Sequence, residues 1–357
     1  MKCLPSAKLL LAHGNILHDW HAEVLAIRAF NRFILDECRL LSIPPYTPSR
    51  FVRRRRTSEI TEAEYQPFAI KDDVSIHMYC SEAPCGDASM ELVMNAQEDS
   101  TPWTSPPPTV SSEDSNADPT LAAIRGRSHF GLLGAVRLKP ARPDAPPALS
   151  KSCTDKLALA QCTSILSSLS SLLITPRNAY LSSLVLPKSQ HVEAACTRAF
   201  SRKGRMSAIT PEMETRWKDL GTGYGFHPFK IQHTGKEFKH SRRSVRSIER
   251  SIPSNLSAIH TPHVQETLIA GVLQGRKQFD PRGASAICRR SIWKVAIELV
   301  GIVGVPMLIE AARKSRYGEV KNGEVLAGRI TVKREAMNGP FKGWLRNTGD
   351  DDFGVET

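Results

Sequence analysis

His21-Ala22-Glu23 sets an imidazole two residues from a carboxylate, and two distant cysteines stand in settings that could complete a metal site. Cys85 lies in Pro84-Cys85-Gly86-Asp87, and Cys153 in Ser152-Cys153-Thr154-Asp155-Lys156. Zinc held by one histidine and two cysteines keeps a fourth position for water. A nearby glutamate that is not a ligand can then shuttle protons between that water and a nucleobase. The set reads as zinc-dependent nucleobase deamination. Each piece alone is weaker: His-x-Glu most simply marks a solvated helix face, and a lone cysteine a small buried hydrophobe.

Such residues converge only if helix ends carry them. Asp19 and Trp20 precede the apolar run Val24-Leu25-Ala26-Ile27, with Arg28 and Arg32 four apart on another face. The pattern predicts Asp19 as an N-cap and His21 in the first helical turn. Side chains two apart on a helix diverge by about 200°, so His21 and Glu23 share one metal only near a helix end. A strand over residues 74–80, with Ile76 and Met78 at period two, leads to Cys85. Gly86-Asp87-Ala88 then predicts a second helix N-terminus, whose macrodipole lowers the thiol pKa. Cys153 opens a third apolar run over residues 157–173.

With 357 residues, 41% of them hydrophobic, the chain can bury a large core. A net charge of +12 and a pI near 9.4 suit a polyanionic partner, although a solvated surface is the commoner use of such charge. Eight cysteines without a secretory signal or regular disulfide spacing indicate a reducing compartment. The expected residence is intracellular, in nucleus or cytoplasm, and not secreted. Cys3, Cys38, Cys80, Cys162, Cys196 and Cys288 are most simply structural. The most apolar stretch, residues 292–309, is interrupted by Lys294, Glu298 and Pro306, so it reads as a buried helix and a turn rather than a membrane span.

Further along, a strand is expected at residues 179–187 and a helix at 191–201. The C-terminal part carries a strand-like segment at 266–275, a helix at 284–300 and a final segment containing Trp344. Two stretches lack core-forming patterns and are expected to be disordered insertions, at about 97–126 and 234–256. The second is basic, with Lys236, Lys239, Arg242, Arg243, Arg246 and Arg250.

The run Gly14-Asn15-Ile16-Leu17-His18-Asp19-Trp20-His21-Ala22-Glu23-Val24-Leu25-Ala26 resembles the editase domain of adenosine deaminases acting on RNA. So do Ala83-Pro84-Cys85-Gly86-Asp87 and Ser152-Cys153-Thr154-Asp155-Lys156. Within that family the chain is most similar to the tRNA-specific branch of fungal type. Ala179-Tyr180-Leu181-Ser182-Ser183 and Gly283-Ala284-Ser285 extend the likeness, which covers nearly the whole chain apart from the insertions. One spacing discriminates: free-nucleoside, cytidine-type and bacterial tRNA deaminases usually place both cysteines in Pro-Cys-x-x-Cys, whereas Ser89-Met90 follow Ala88 here and the third ligand lies far downstream.

The resemblance implies one domain over residues 1–357, with a cytidine-deaminase-like three-layer α/β/α sandwich, a mixed central sheet and C-terminal helices. It implies hydrolytic conversion of adenosine to inosine in tRNA, at the adenosine immediately 3′ of the anticodon of alanine tRNA. His21, Cys85 and Cys153 would hold zinc, Glu23 would move the protons, Asp19 would support the ligands, and Lys2 would meet the target nucleotide's phosphate. The family also buries inositol hexakisphosphate. Arg28, Ser150, Lys156, Ser168, Arg289, Tyr317, Lys321, Lys333 and Trp344 match positions on or near those that contact it. Ile27 and Leu159 stand where the animal enzymes carry arginines, and Arg346-Asn347 replaces a Glu-Lys pair, which implies fewer contacts or a shifted pose. Neither DNA nor a membrane is an expected partner, and nothing assigns an oligomeric state.

Family members have several tens of residues before the segment matching Met1-Lys2-Cys3-Leu4-Pro5. On that basis the first strands of the sheet are expected to be missing, and folding and activity to be weak. Two other readings stay open. A truncated, catalytically silent binder of RNA or inositol phosphate would not need Glu23. A structural-zinc protein would want a fourth protein ligand, and Cys80 and His77, though near, lack the spacing of such a site.

Overall fold

The computed structural model describes residues 2–95, 123–126, 129–139, 145–241 and 255–356. Most of both expected disordered insertions lies outside the described residues. The described architecture is mixed α/β and contains no barrel, in keeping with a deaminase-like α/β sandwich.

Helix α1, Ala22–Leu40, buries Leu25, Ala29, Ile34, Leu35 and Cys38 at near-helical spacing. Its N-cap is His21, not Asp19 as the sequence pattern predicts. Asp19 lies further upstream because its Oδ1 accepts from both the His21 backbone N–H, at 3.1 Å, and the His21 ring. Strands β1, Val52–Arg54, and β2, Phe68–Ile70, form an antiparallel pair. A second sheet has the order β3, Ile76–Tyr79, then β4, Leu181–Pro187, then β5, Lys230–Thr234, all parallel. β3 and β4 are slightly shorter than the sequence predicts.

A single 3-10 turn, Asp87–Ser89, and short α2, Met90–Met94, follow β3. Helix α3, Cys153–Thr163, stops ten residues before the end of its apolar run. Ser164 turns to φ 59° and the Ile165 N–H goes to Ala179 O, so residues 165–174 cross the core as a loop and a 3-10 turn. Helix α4, Glu193–Phe200, and α5, Pro211–Asp219, pack beside α3 in one apolar cluster with β4.

The segment expected as one strand at 266–275 is a hairpin edge. Strand β6, Leu256–His260, pairs antiparallel with β7, Gln265–Ile269, which turns at Ala270-Gly271 into β8, Val272–Leu273. Both turn residues have positive φ, 52° and 82°, and a Cβ on Gly271 would meet Leu17 O at 2.6 Å. The Leu17 N–H bonds Gly271 O at 3.0 Å, which anchors the segment leading to His21.

Helix α6, Arg289–Val303, begins five residues later than the pattern predicts, where Cys288 Sγ accepts from the Ser291 N–H. Residues 285 and 286 are instead bound by the Glu266 carboxylate. Gly304 ends α6 in the left-handed region, and Pro306 opens α7, Pro306–Ala312. Helices α8, Tyr317–Lys321, and α9, Ala327–Asn338, are the last helices among the described residues. Tyr317 and Phe353 stack, and Trp293 meets both edge-on, where α6, α8 and the C-terminal segment meet. Among the described residues, no helix is long and apolar enough to cross a membrane.

Candidate active site

Ser152 caps α3: its Oγ accepts from the Asp155 N–H at 3.0 Å and donates to the Asp155 carboxylate at 2.5 Å. Arg205 binds the other carboxylate oxygen at 2.5 Å, so the first turn of α3 is fixed from both sides. The Pro84-Cys85-Gly86 loop lies across that turn. The Thr154 N–H bonds Cys85 O at 3.0 Å, Thr154 Oγ1 bonds Pro84 O at 2.9 Å, and the Cys153 N–H points at Cys85 Sγ, 3.3 Å away. The helix end that meets Cys85 is therefore that of α3, not one formed by the residues after it. Gly86 makes the approach possible: its φ is +109°, and a Cβ would meet Ser152 Oγ at 2.3 Å.

The two sulfurs form one titrating pair. Bonding with Cys153 holds the Cys85 thiol down at about 6 against its own burial, helped by Lys139 and His21, while burial and the Cys85 charge push Cys153 up. His21 and Glu23 both lie near enough for their charges to act on Cys85. Glu23 and Cys153 also line one cavity of about 250 Å³. The Glu23 carboxylate has no hydrogen-bond or ion-pair partner among the described residues.

Asp19 organises the other side of His21. Its Oδ1 takes the His21 Nδ1 at 2.7 Å, which leaves Nε2 as the ring's free lone pair. Its Oδ2 takes Lys139 Nζ at 2.8 Å, Ser150 Oγ at 2.8 Å and Lys156 Nζ. Burial opposes ionisation of Asp19, yet Lys139 and Lys156 outweigh it and hold the carboxyl well below the usual carboxylate range. Lys139 then reaches Cys153 Sγ at 3.2 Å, joining the aspartate to a predicted ligand.

Cys3, Asp19 and His21 are the cluster whose donor atoms all fall within 4.8 Å of one another among the described residues. That cluster is not the predicted His21, Cys85 and Cys153 set. Burial pushes the Cys3 thiol up, which keeps it protonated, and the Asp19 oxygens are already committed to five donors. Its arrangement suits support of His21. Lys2 is fixed beside it by a bond from the Trp20 N–H to its carbonyl at 3.0 Å.

A chamber of about 440 Å³ adjoins this network. Arg28, Ser150, Lys156 and Ser168 line it, as do Arg289, Lys321, Lys333 and Trp344. Tyr317, the ninth residue expected there, lines the 250 Å³ cavity, which shares Arg28, Lys156 and Arg289 with the chamber. Ile27 and Leu159 form part of that cavity's apolar wall. The chamber's lining holds nine lysines and arginines against two aspartates, Asp19 and Asp351. Burial, then Arg329 and Lys321, pushes the Lys333 ammonium down to about 7. Burial and Lys156 do the same to Lys151. Arg329 Nε and Asn347 Oδ1 are buried without a hydrogen-bond partner among the described residues.

Comparison with known proteins fits this geometry. Residues 1–347 match the adenosine-deaminase (editase) domain family. The chain belongs to that family. The tRNA-specific adenosine deaminase 1 of Schizosaccharomyces pombe is 34% identical over 359 residues, 98% of this chain and 82% of that protein. The tRNA-specific adenosine deaminase 1 of Saccharomyces cerevisiae is 35% identical over 175 residues, 47% of this chain and 40% of that protein. The Drosophila melanogaster double-stranded RNA-specific editase Adar is 28% identical over 210 residues, 55% of this chain and 28% of that protein.

Within this editase domain, sequence reasoning missed Lys139, Lys151, Arg329 and Arg334. Lys139 begins a proline-rich stretch with no periodic pattern; its N–H bonds Ser150 O at 2.7 Å and its carbonyl accepts from the Ala148 N–H at 3.3 Å, which ties it to the segment before α3. Lys151 sits between two motif residues, Ser150 and Ser152, which was the available signal. Arg329 and Arg334 lie on α9 with Lys333 and carry no signal beyond their charge.

Proposed function

We propose that this editase domain is a zinc-dependent hydrolytic deaminase that converts adenosine to inosine in tRNA. The observation that carries the reading is the meeting of Cys85 and Cys153 at the α3 N-terminus beside His21 and Glu23. The donor chemistry fits zinc: a thiol lowered to about 6, a second sulfur in contact with an ammonium, and an imidazole whose Nδ1 is pinned by a carboxylate. His21, Cys85 and Cys153 would hold the metal, which when bound lowers the pKa of a water towards neutrality.

Deamination adds water at C6 of adenine and expels ammonia, so one proton of the water goes to N1 and stays there, and the second goes from the new hydroxyl to the departing amino group, each transfer needing a group to carry the proton. Glu23, unpartnered and facing the cavity shared with Cys153, is the group placed to carry it. Asp19 keeps His21 in one tautomer, and Lys139 limits the negative charge that two sulfurs and a glutamate would otherwise accumulate. Lys2 is proposed to meet the phosphate of the target nucleotide. An anticodon-loop base is already unpaired, which lowers the cost of flipping it. The adenosine immediately 3′ of the anticodon in alanine tRNA is the proposed target, on the likeness to the fungal tRNA-specific branch.

Inositol hexakisphosphate is proposed as the ligand of the cationic chamber. Nine lysines and arginines, two of the lysines pushed down to about 7 and one guanidinium nitrogen without a partner among the described residues, describe a space that favours a polyanion. We also propose intracellular residence, supported by eight cysteines that are all free. The test of function is incubation with alanine tRNA followed by sequencing of the anticodon loop. Inosine 3′ of the anticodon supports the reading, and an unchanged tRNA in the presence of zinc refutes it.

A further inference from the structure

Asp350, Asp351 and Asp352 are consecutive, yet the fold puts them to three different uses. Asp350 is chiefly an internal anchor: it accepts from the Gly14 N–H at 2.7 Å, pairs with His18 at 2.7 Å, and also takes Arg289 Nη1 on its carbonyl at 2.6 Å and its Oδ2 at 3.3 Å, from outside the chamber lining. Asp352 is 85% exposed and pairs with Arg316 at the surface. Asp351 alone of the three lines the cationic chamber. Its Oδ2 lies 3.0 Å from Lys321 Nζ and its Oδ1 3.2 Å from Arg289 Nη1, and both cations line the same space.

We propose that Asp351 is the resident counter-anion of the chamber, competing with any phosphate-rich ligand for Lys321 and Arg289. The assignment rests on the polyanion reading of the chamber given above. Of the chamber's two carboxylates, Asp19 is saturated by His21, Lys139, Ser150 and Lys156. Asp351 is the other, and it faces two cations that a ligand would need. Its backbone is tied by the bond from the Gly318 N–H to Asp351 O at 2.8 Å, and its side chain is 25% exposed. A carboxylate that stabilises the ligand-free protein more than the complex lowers affinity by the difference. Removing it therefore tightens binding and loosens the ligand-free fold.

The experiment titrates inositol hexakisphosphate calorimetrically into the full chain, its Asp351→Asn variant and its Asp352→Asn variant, each first stripped of bound anions by dialysis against high salt. Thermal midpoints without ligand are read alongside. Asp351→Asn is expected to bind on the order of ten-fold tighter and to melt at a lower temperature. Asp352→Asn is expected to match the parent in both. Equal or weaker binding by Asp351→Asn overturns the proposal and makes Asp351 a residue that orients Lys321. If no protein binds the hexakisphosphate, the polyanion reading fails separately. The midpoints then still decide the counter-anion role, which an unchanged Asp351→Asn midpoint overturns.

Discussion

The Asp19 carboxylate and the Lys139 ammonium lie 2.8 Å apart with each side chain only 4% exposed. Lys139 is also 3.2 Å from Cys153 Sγ, so this buried pair ties the support of His21 to the sulfur side of the site. Removing one partner of a buried pair leaves the other charge uncompensated, at a cost of about 3–5 kcal/mol. Asp19→Asn is expected to lower the thermal midpoint markedly and to reduce zinc content. The double variant Asp19→Asn with Lys139→Met is expected to recover part of the lost stability, because it removes the stranded charge. A double variant less stable than the single one would count against this account.

Gly86 is the contact point between the two cysteine loops. At φ +109° an alanine is strained, by about 1–3 kcal/mol, and its methyl would also strike Ser152 Oγ, the cap of α3. Gly86→Ala is therefore expected to separate Cys85 from the Cys153 N–H and to lower zinc content more than Gly134→Ala, where the added Cβ meets nothing within 4 Å. Metal analysis and thermal denaturation of both variants make the comparison. Equal zinc in the two would show that the loop contact is dispensable.

Chamber binding should take up protons. Lys333 sits among Arg329, Lys321, Lys151 and Arg346, and its ammonium is pushed down to about 7, first by burial and then by those cations. A polyanion favours the charged form and raises it again. Below pH 7 the lysine is already protonated, so affinity for inositol hexakisphosphate should be flat with respect to this group. Above pH 7 binding must collect a proton, so affinity should fall as pH rises. In the ligand-free protein the sign is the opposite for stability: the lowered folded pKa destabilises fully below pH 7, and the penalty fades as pH climbs towards the unfolded value. Calorimetry in two buffers of different ionisation enthalpy reads the uptake directly. No uptake at pH 8 would contradict the prediction, and Lys333→Met should abolish this component.

The motifs proposed to hold a metal stand out in the sequence because each is a short run of residue types that make sense together. His21, Glu23, Cys85 and Cys153 come from segments far apart in the chain, and the structure brings them near one another. Eight of nine residues expected at the chamber line it, and Tyr317 lines the cavity beside it. Local pattern was less reliable for helix ends. Asp19 has the residue type of an N-cap, but its carboxylate is claimed by the His21 ring and two lysines, so the helix starts later. The apolar run after Cys153 has helical composition, yet Ser164 breaks it to let residues 165–174 thread the core. Lys139 was invisible because its partner Asp19 is 120 residues away in sequence.

The most direct test compares the full chain with its Glu23→Gln variant on alanine tRNA, measuring zinc content and inosine formation in the same preparations. Glu23 is assigned proton transfer and not metal binding, so zinc content should be unchanged while inosine formation falls by about 10²–10⁴-fold. Undiminished inosine formation by Glu23→Gln would contradict the account.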